Sequence, residues 1–273
     1  QLGMVFRNED GTQEFKDDGC SDFFIPVGNF QLFLDSSIEG QNIVSEGANI
    51  SISATTSLSA NFELFANGNS IDDTQSGTSF STNYTVNENT YFELVASETN
   101  GNTIQSKTFS ALNAPTVNDA PLPDNLEDGI NYIDNNTAVL VLYAPGKDYV
   151  YAAGSFNNYQ PSQSDAMNRD ASEDRWWIQI NGLTPGQKET YQYWVGDTTP
   201  LPDSPELVKV ADPYSTLILS SFDDGFIPDS TYPNLLDFPE GADFEVTVLE
   251  TDQDPYNWQV DDFQKPKKED LIV

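Results

Sequence analysis

The sequence predicts an all-β protein built from tandem immunoglobulin-like or early-set β-sandwiches. Apolar and polar residues alternate over short runs along the chain, which is the period of a half-buried strand. Gly, Pro, Asn and Asp interrupt these runs at intervals of roughly eight to twelve residues, which is typical of sandwiches. Almost no segment has helical periodicity. At about 150 residues per domain, the 273 residues suffice for two domains.

The first set of strand-like runs predicts a sandwich over residues 36–115. Alternating runs occupy 49–58, 60–68 and 90–109. The run at 60–68 closes on Asn67-Gly68, a dipeptide that favours a tight hairpin turn. Because each run places its apolar residues on one face, a layered core is expected.

A second set of runs follows the proline-rich segment ALNAPTVNDAPLPDNLEDGINY and predicts a sandwich over 116–250. Its runs are TAVLVLYAP (137–145), DYVYAAGSF (148–156), RWWIQING (175–182), ETYQYWVGD (189–197), ELVKVADP (206–213) and FEVTVLE (244–250). Residues 1–35 and 251–273 lie outside both sandwiches. A lone hairpin is marginal in water, so we expect 1–35 to be the last strands of another module.

Charge is the strongest compositional signal. The chain carries 44 acidic and 11 basic residues, for a net charge of −33. Such a surface repels phosphate backbones and anionic membranes, so no nucleic-acid partner is expected. No apolar stretch approaches the roughly 18 residues that span a bilayer. A solvated acidic surface is the simplest interpretation.

The residue inventory excludes several kinds of active site. The chain has no histidine and one cysteine, Cys20, so Ser-His-Asp and Cys-His catalysis and Cys/His metal sites are ruled out. No cofactor is expected. Calcium is the one metal that the sequence suggests, because SSFDDGFIPDS (220–230) and LPDNLEDGINYID (122–134) are rich in carboxylates. Neither loop has the spacing of a defined calcium-binding loop.

Strand parity singles out aromatic residues of the second sandwich. In RWWIQI, Trp176 and its apolar neighbours share one face, so Trp177 is predicted to point toward solvent or a neighbouring domain. In YQYWV, Gln192 and Trp194 lie opposite the apolar face. An outward aromatic ring beside amides suits sugar recognition, because the ring stacks on the apolar face of glucose while amides bond its hydroxyls.

The same region resembles a known family. Gly154-Ser155-Phe156-Asn157-Asn158, the turn GLTPG (182–186), YQYWV (191–195) and KVADPY (209–214) together resemble the early-set domain of glycoside hydrolase family 13, which is related to carbohydrate-binding module family 48. STYPNL (230–235) and 254–273 resemble the approach to the catalytic barrel in α-amylases of the Bacteroidetes type. The opening LGMVFRNEDGT…DFFIPV resembles the last strands of a starch-binding module.

The resemblance implies a non-catalytic region of a secreted α-amylase-like enzyme, outside the cell or on a bacterial surface. Its partners would be α-glucan or malto-oligosaccharide and the enzyme's catalytic barrel, and no catalytic residue is carried over. Residues 251–273 would link to that barrel. Glycogen-binding relatives use an aromatic after the Asn-Asn turn, which Tyr159 matches, and a Lys where this chain has Gln192. The sugar-binding candidates are Asn157, Asn158, Tyr159, Trp177, Gln192 and Trp194.

Two alternatives remain open for the whole chain. The first is a ligand-free spacer, in which Tyr159, Trp177 and Trp194 pack against the catalytic barrel and Asn157 and Asn158 are turn residues. The second is an adhesion protein that uses acidic loops and calcium, which the similarity of 254–273 to a barrel approach disfavours.

Overall fold

A computed structural model describes residues 30–101 and 103–253. It also describes the backbone of four short strands nearer the N-terminus, β1 (Leu2–Met4), β2 (Phe6–Arg7), β3 (Glu14–Phe15) and β4 (Phe23–Ile25). Strand β1 pairs with β4, and β2 pairs with β3, both antiparallel. The predicted starch-binding fragment at 1–35 lies largely outside the described residues. The predicted linker at 251–273 lies outside them from residue 254 onward.

The described residues contain strands and short 3-10 turns but no α-helix, so the predicted all-β class is confirmed. Among them, no helix is long and apolar enough to cross a membrane. The remaining strands are β5 (Leu32–Leu34), β6 (Gly40–Ile43), β7 (Ala48–Ala66), β8 (Asn69–Asp72), β9 (Ser76–Val86), β10 (Thr90–Glu98), β11 (Ile104–Leu112), β12 (Gly129–Asp134), β13 (Thr137–Tyr143), β14 (Tyr149–Gly154), β15 (Asn168–Asp170), β16 (Arg175–Asn181), β17 (Lys188–Gly196), β18 (Leu207–Val210), β19 (Ile218–Leu219) and β20 (Val246–Glu250). The 3-10 turns span Ser155–Asn157, Gln163–Asp165 and Asp224–Phe226.

The chain divides into two compact units. The first contains the described residues up to Thr116 together with Ser162–Ser164. The second contains Val117–Pro161 and the described residues from Asp165 onward. Each unit has its own buried apolar cluster.

The first unit is organised by β7, a long strand that was predicted as two separate runs. Its N-terminal half pairs with β9 and its C-terminal half with β10, and the register shifts between Thr55 and Ala60. Ile52 from one half and Phe62 from the other belong to a single buried cluster. The rings of Phe62 and Phe80 lie 5.6 Å apart in it. The two halves therefore cover a shared core.

The second unit is a sandwich of two antiparallel sheets. One sheet has the order β12-β13-β16-β15, and the other has β14-β17-β20-β19 with β18 also paired to β17. Leu140 and Trp176 from the first sheet and Tyr191, Tyr193 and Leu249 from the second share one buried cluster. The predicted core faces of RWWIQI and YQYWV are thus confirmed. Strand β12 was missed, because its residues lie in the segment interpreted as a linker and acidic loop.

Candidate functional site

The sequence GSFNNY forms a compact reversal after β14. Ser155–Asn157 make a 3-10 turn that ends at Asn158 in the left-handed conformation. The Asn157 side chain accepts a hydrogen bond from the Gly154 backbone N–H at 2.8 Å and donates one to the Ala152 carbonyl at 2.9 Å. Asn157 is therefore a turn residue whose amide is used by the backbone, while the Asn158 side chain is exposed.

Tyr159 folds back onto its own sheet. Both Asn158 and Tyr159 have positive φ, 53° and 54°, which is uncommon for a residue such as tyrosine. The Tyr159 backbone N–H donates to the Gly154 carbonyl at 2.9 Å, and its hydroxyl donates to Thr190 Oγ1 at 2.6 Å. The side chain is 3% exposed. These contacts hold the ring against β17 rather than in solvent.

Gln192 and Trp194 occupy the face of β17 predicted for them, but that face is covered. Gln192 is fully buried and Trp194 is 3% exposed. The hydrogen bonds around Gln192 set its amide so that Oε1 accepts from Trp194 Nε1 at 3.0 Å and Nε2 donates to the Asp243 carbonyl at 2.9 Å. Lys209 Nζ lies 4.3 Å from the centre of the Trp194 ring and 2.9 Å from Asp243 Oδ2. Lys209, which is paired with Asp243, therefore covers one face of the Trp194 ring.

Trp177 lies on the outer face of the other sheet, as parity predicts. Its Nε1 donates to the Ala120 carbonyl at 3.1 Å, and its side chain is partly buried. Ala120 belongs to the segment that precedes β12. The backbone of this segment pairs with Arg169 in β15. That segment covers part of the indole.

The candidates divide accordingly. Tyr159, Gln192 and Trp194 converge on one face of β17, where they contact the chain itself and offer no open ring to a sugar. The outward direction predicted for Gln192 and Trp194 is therefore observed, but in this structure the face is covered and is not an open stacking platform. Both rings are buried without a catalytic barrel, Trp194 beneath Lys209 of the same unit. Parity predicts the face of a side chain but carries no information about loops that return over it.

A buried polar cluster links two of the motifs that carry the family resemblance. Asp212 is fully buried, and its Oδ2 accepts hydrogen bonds from the hydroxyls of Tyr191 at 2.6 Å and Tyr193 at 2.9 Å. Its Oδ1 accepts from the Tyr214 backbone N–H at 2.8 Å, and its own N–H donates to Thr247 Oγ1 at 2.8 Å. The carboxylate is thus satisfied by β17 and by the Tyr214 backbone, and the Asp212 backbone N–H is satisfied by β20.

Neither acidic loop gathers a set of cation ligands. Within the described residues, no group of three or more His, Cys, Asp or Glu side chains is placed to hold a metal ion. In the 122–134 loop, Asp128 instead accepts a hydrogen bond from Arg175 Nε at 2.8 Å. In the 220–230 loop, Asp224 Oδ2 accepts from the Ser220 backbone N–H at 2.9 Å. These two carboxylates are used by neighbouring residues.

The 220–230 loop has another property that sequence reasoning missed. Phe222 and Phe226 are 77% and 78% exposed, and their rings form an edge-on pair with centroids 6.1 Å apart. Neither residue belongs to an alternating run, so no periodic signal marks it. The signal that could have found them is two aromatic residues inside a polar loop, SSFDDGFIPDS.

Comparisons with known proteins show no family membership. No protein-family model matches the chain, and no curated protein shows significant similarity to it. Among solved structures, it is similar to a chimeric titin Z1Z2-Z1Z2 tandem (14% identity, 62% of this chain, 91% of that chain, TM-score 0.29) and to apo pullulanase from Klebsiella pneumoniae (20% identity, 48% of this chain, 14% of that chain, TM-score 0.28). It is also similar to the Bacteroides ovatus mixed-linkage glucan utilization locus protein SGBP-B, in complex with a mixed-linkage heptasaccharide (14% identity, 68% of this chain, 48% of that chain, TM-score 0.28). At these scores, the similarities carry no argument about function.

We expect the buried tyrosines to make the second unit sensitive to alkali. Burial raises the pKa of Tyr149 and of Tyr159 to about 12, and it also raises the pKa of Tyr191 and Tyr193. An unfolded tyrosine ionises near pH 10, so above about pH 10 the unfolded state binds fewer protons and the free energy of unfolding falls as pH rises. A two-unit difference corresponds to a loss that approaches about 3 kcal/mol for each of Tyr149 and Tyr159 as the pH rises past about 12.

Urea unfolding at about pH 8 and about pH 11, with tyrosinate absorbance followed in parallel, tests this expectation. The free energy of unfolding should be lower at the higher pH, and part of the tyrosinate signal should appear only together with unfolding. The Tyr159→Phe variant should show a shallower decline. Equal stability at both pH values would contradict the burial of these hydroxyls.

Proposed function

We propose that this chain is a non-catalytic accessory region of a secreted α-amylase-like glycoside hydrolase. Its role is to position α-glucan, as starch or malto-oligosaccharide, and to pack against the catalytic barrel of the same enzyme. The site of action is outside the cell or at a bacterial surface. The coarser part of the proposal is a carbohydrate-binding accessory region, and the finer part is the preference for α-linked glucose.

The observation that carries the proposal is the convergence of the family-like motifs in one core. YQYWV and KVADPY are separated in sequence, yet Tyr191 and Tyr193 both donate hydrogen bonds to Asp212. The GSFNN motif forms the turn that closes β14, and Asn157 satisfies two of its backbone groups. The residues behind the resemblance therefore build a sandwich, which supports an accessory role rather than a catalytic one.

A second candidate function is a ligand-free spacer. It is favoured by the burial of Tyr159, Gln192 and Trp194, since a module that presents a flat aromatic platform would leave at least one ring open. The two candidates differ in one measurable property, which is affinity for glucan.

Retention of the full chain on insoluble starch, with microcrystalline cellulose as the matched control, tests the proposal. Calorimetric titration with a malto-oligosaccharide and with a cello-oligosaccharide of equal length gives the affinity in solution. We expect binding to the α-linked ligands and at least a ten-fold weaker response to the β-linked ones. Binding to cellulose alone would contradict the α-glucan preference. Binding to neither polysaccharide would favour the second candidate function, a ligand-free spacer.

A further inference from the structure

A cleft opens beside the exposed phenylalanine pair of the second unit. It has a volume of about 430 Å³ and lies between the two ends of the segment 220–238. This volume falls within the roughly 300–1,000 Å³ of small-molecule sites. Its lining is mixed, with apolar side chains such as Leu235 and Phe238 beside hydroxyl, amide and carboxylate groups.

The walls of the cleft are held by the chain itself. Ser220 donates its backbone N–H to Asp224 Oδ2 at 2.9 Å, and the Phe226 N–H donates to the Asp223 carbonyl at 3.0 Å. The backbone N–H groups of Thr231 and Tyr232 both donate to the Pro228 carbonyl, at 2.8 and 3.2 Å. A ligand would therefore meet a cleft whose walls are already formed, which lowers the ordering cost of binding.

Several polar groups of the lining are unused. Asp229, Asn234 and Asp237 line the cleft and are exposed, and their side chains make no hydrogen bond or ion pair within the described part of the chain. Two carboxylates and one amide together supply both acceptors and donors. The hydroxyl groups of a ligand can donate hydrogen bonds to the carboxylates and accept them from the amide N–H groups.

The exposed rings do not line the cleft but belong to residues next to its lining in the chain, because Phe222 follows Ser221 and Phe226 follows Gly225. Phe222 and Phe226 flank Asp223 and Asp224 in the turn that borders the cleft, and each exposes more than three quarters of its surface. Exposed aromatic rings beside hydrogen-bonding groups are what a sugar needs, because a pyranose has an apolar face and a polar rim. Carboxylates in a chain of net charge −33 disfavour an anionic ligand.

From these observations we propose that the cleft within 220–238, with the rings of Phe222 and Phe226, is the glucan-binding site of this chain, and that it takes a short run of neutral α-linked glucose. The inference rests on the proposed function and deepens it, because it moves the site away from Tyr159 and Trp194. Asp229, Asn234 and Asp237 bond the sugar hydroxyls, and the two rings stack on glucose units at the mouth.

The test compares the full chain with three variants by calorimetric titration with a malto-oligosaccharide about seven units long. Phe222→Ser/Phe226→Ser removes both rings, and Asp237→Ala removes one unused carboxylate. Phe33→Ser is the matched control, since Phe33 is 51% exposed and lies on β5 of the first unit. Thermal melting of each variant checks that the fold is retained.

We expect the double variant to bind at least ten-fold more weakly, Asp237→Ala about three- to ten-fold more weakly, and Phe33→Ser like the unmodified chain. If the unmodified chain binds and the double variant binds equally well, the cleft is not the site, and the proposed function stands with its site elsewhere. If the unmodified chain binds no glucan, the proposed glucan-positioning function fails and this inference fails with it. In that case a partner protein becomes the ligand to test for contact with Phe222 and Phe226.

Discussion

Replacing Asp212 with alanine should destabilise the second unit by about 4 kcal/mol. The substitution leaves the buried hydroxyls of Tyr191 and Tyr193 and the N–H of Tyr214 without their acceptor. Each buried polar group left unpaired costs about 1–3 kcal/mol. Urea unfolding of the full chain, followed by the fluorescence of its tryptophans, measures the loss as a lower midpoint of the second unit's transition.

The control for this prediction is Asp124→Ala. Asp124 is exposed and its side chain has no partner among the described residues, so the change should stay within about 0.5 kcal/mol. A second variant adds specificity. Tyr191→Phe introduced into the Asp212→Ala background should cost less than in the unmodified chain, because its hydroxyl has already lost its acceptor. Equal costs in both backgrounds would show that the hydrogen bond does not contribute.

The strand pattern made most of the fold predictable. Alternation identified most of the longer strands of both units, and it assigned Trp176, Tyr191 and Tyr193 correctly to the core, but it missed β12 and the short strands β5, β6, β8, β15 and β19. It failed where periodicity was interrupted or weak. The two runs at 49–58 and 60–68 are one strand, β7. Its pairing with β9 shifts register between Thr55 and Ala60 and then continues on the far side of the shift. A bulge of this kind leaves no simple mark in sequence.

The site was less predictable than the fold, for a physical reason. Whether a ring is open depends on loops that come from far along the chain, and Asp243 reaches Gln192 across about fifty residues of sequence. The left-handed conformations of Asn158 and Tyr159 also redirect a ring that the Asn-Asn turn was expected to present. Tertiary contacts of this kind hold an unfavourable backbone conformation in place and leave no periodic signal.

The acidic loop at 220–230 has a feature that its charge does not predict. Asp224 accepts a hydrogen bond from the Ser220 backbone N–H, and Phe222 and Phe226 are exposed. In an irregular loop, apolar residues have no partner strand to bury them, so each of them needs an explanation.

Replacing Trp194 with alanine should be about as severe as losing Asp212, at about 3–5 kcal/mol. The indole is 3% exposed, lies under Lys209 and donates Nε1 to Gln192. Its removal leaves a large cavity and an amide without its partner, and buried Trp→Ala changes cost about this much. The midpoint of urea unfolding should fall accordingly. Trp177→Ala is the matched control, because that indole is only partly buried and its loss should cost about half as much.

The Trp194 variant also decides between two roles for the covered face of β17. If the ring is structural, the folded fraction of Trp194→Ala, measured at low temperature, should bind malto-oligosaccharide with the affinity of the unmodified chain. If the ring contacts glucose, the variant should keep its stability and lose its affinity.

For the Trp194 ring to contact glucose, Asp243 and Lys209 would have to move away from it and expose it to solvent, which breaks their 2.9 Å ion pair. Breaking that pair alone is a small cost, because Asp243 is largely exposed and surface pairs contribute at most about 1 kcal/mol. The larger cost is exposure of the buried indole and of the Gln192 amide, and this cost favours the structural role.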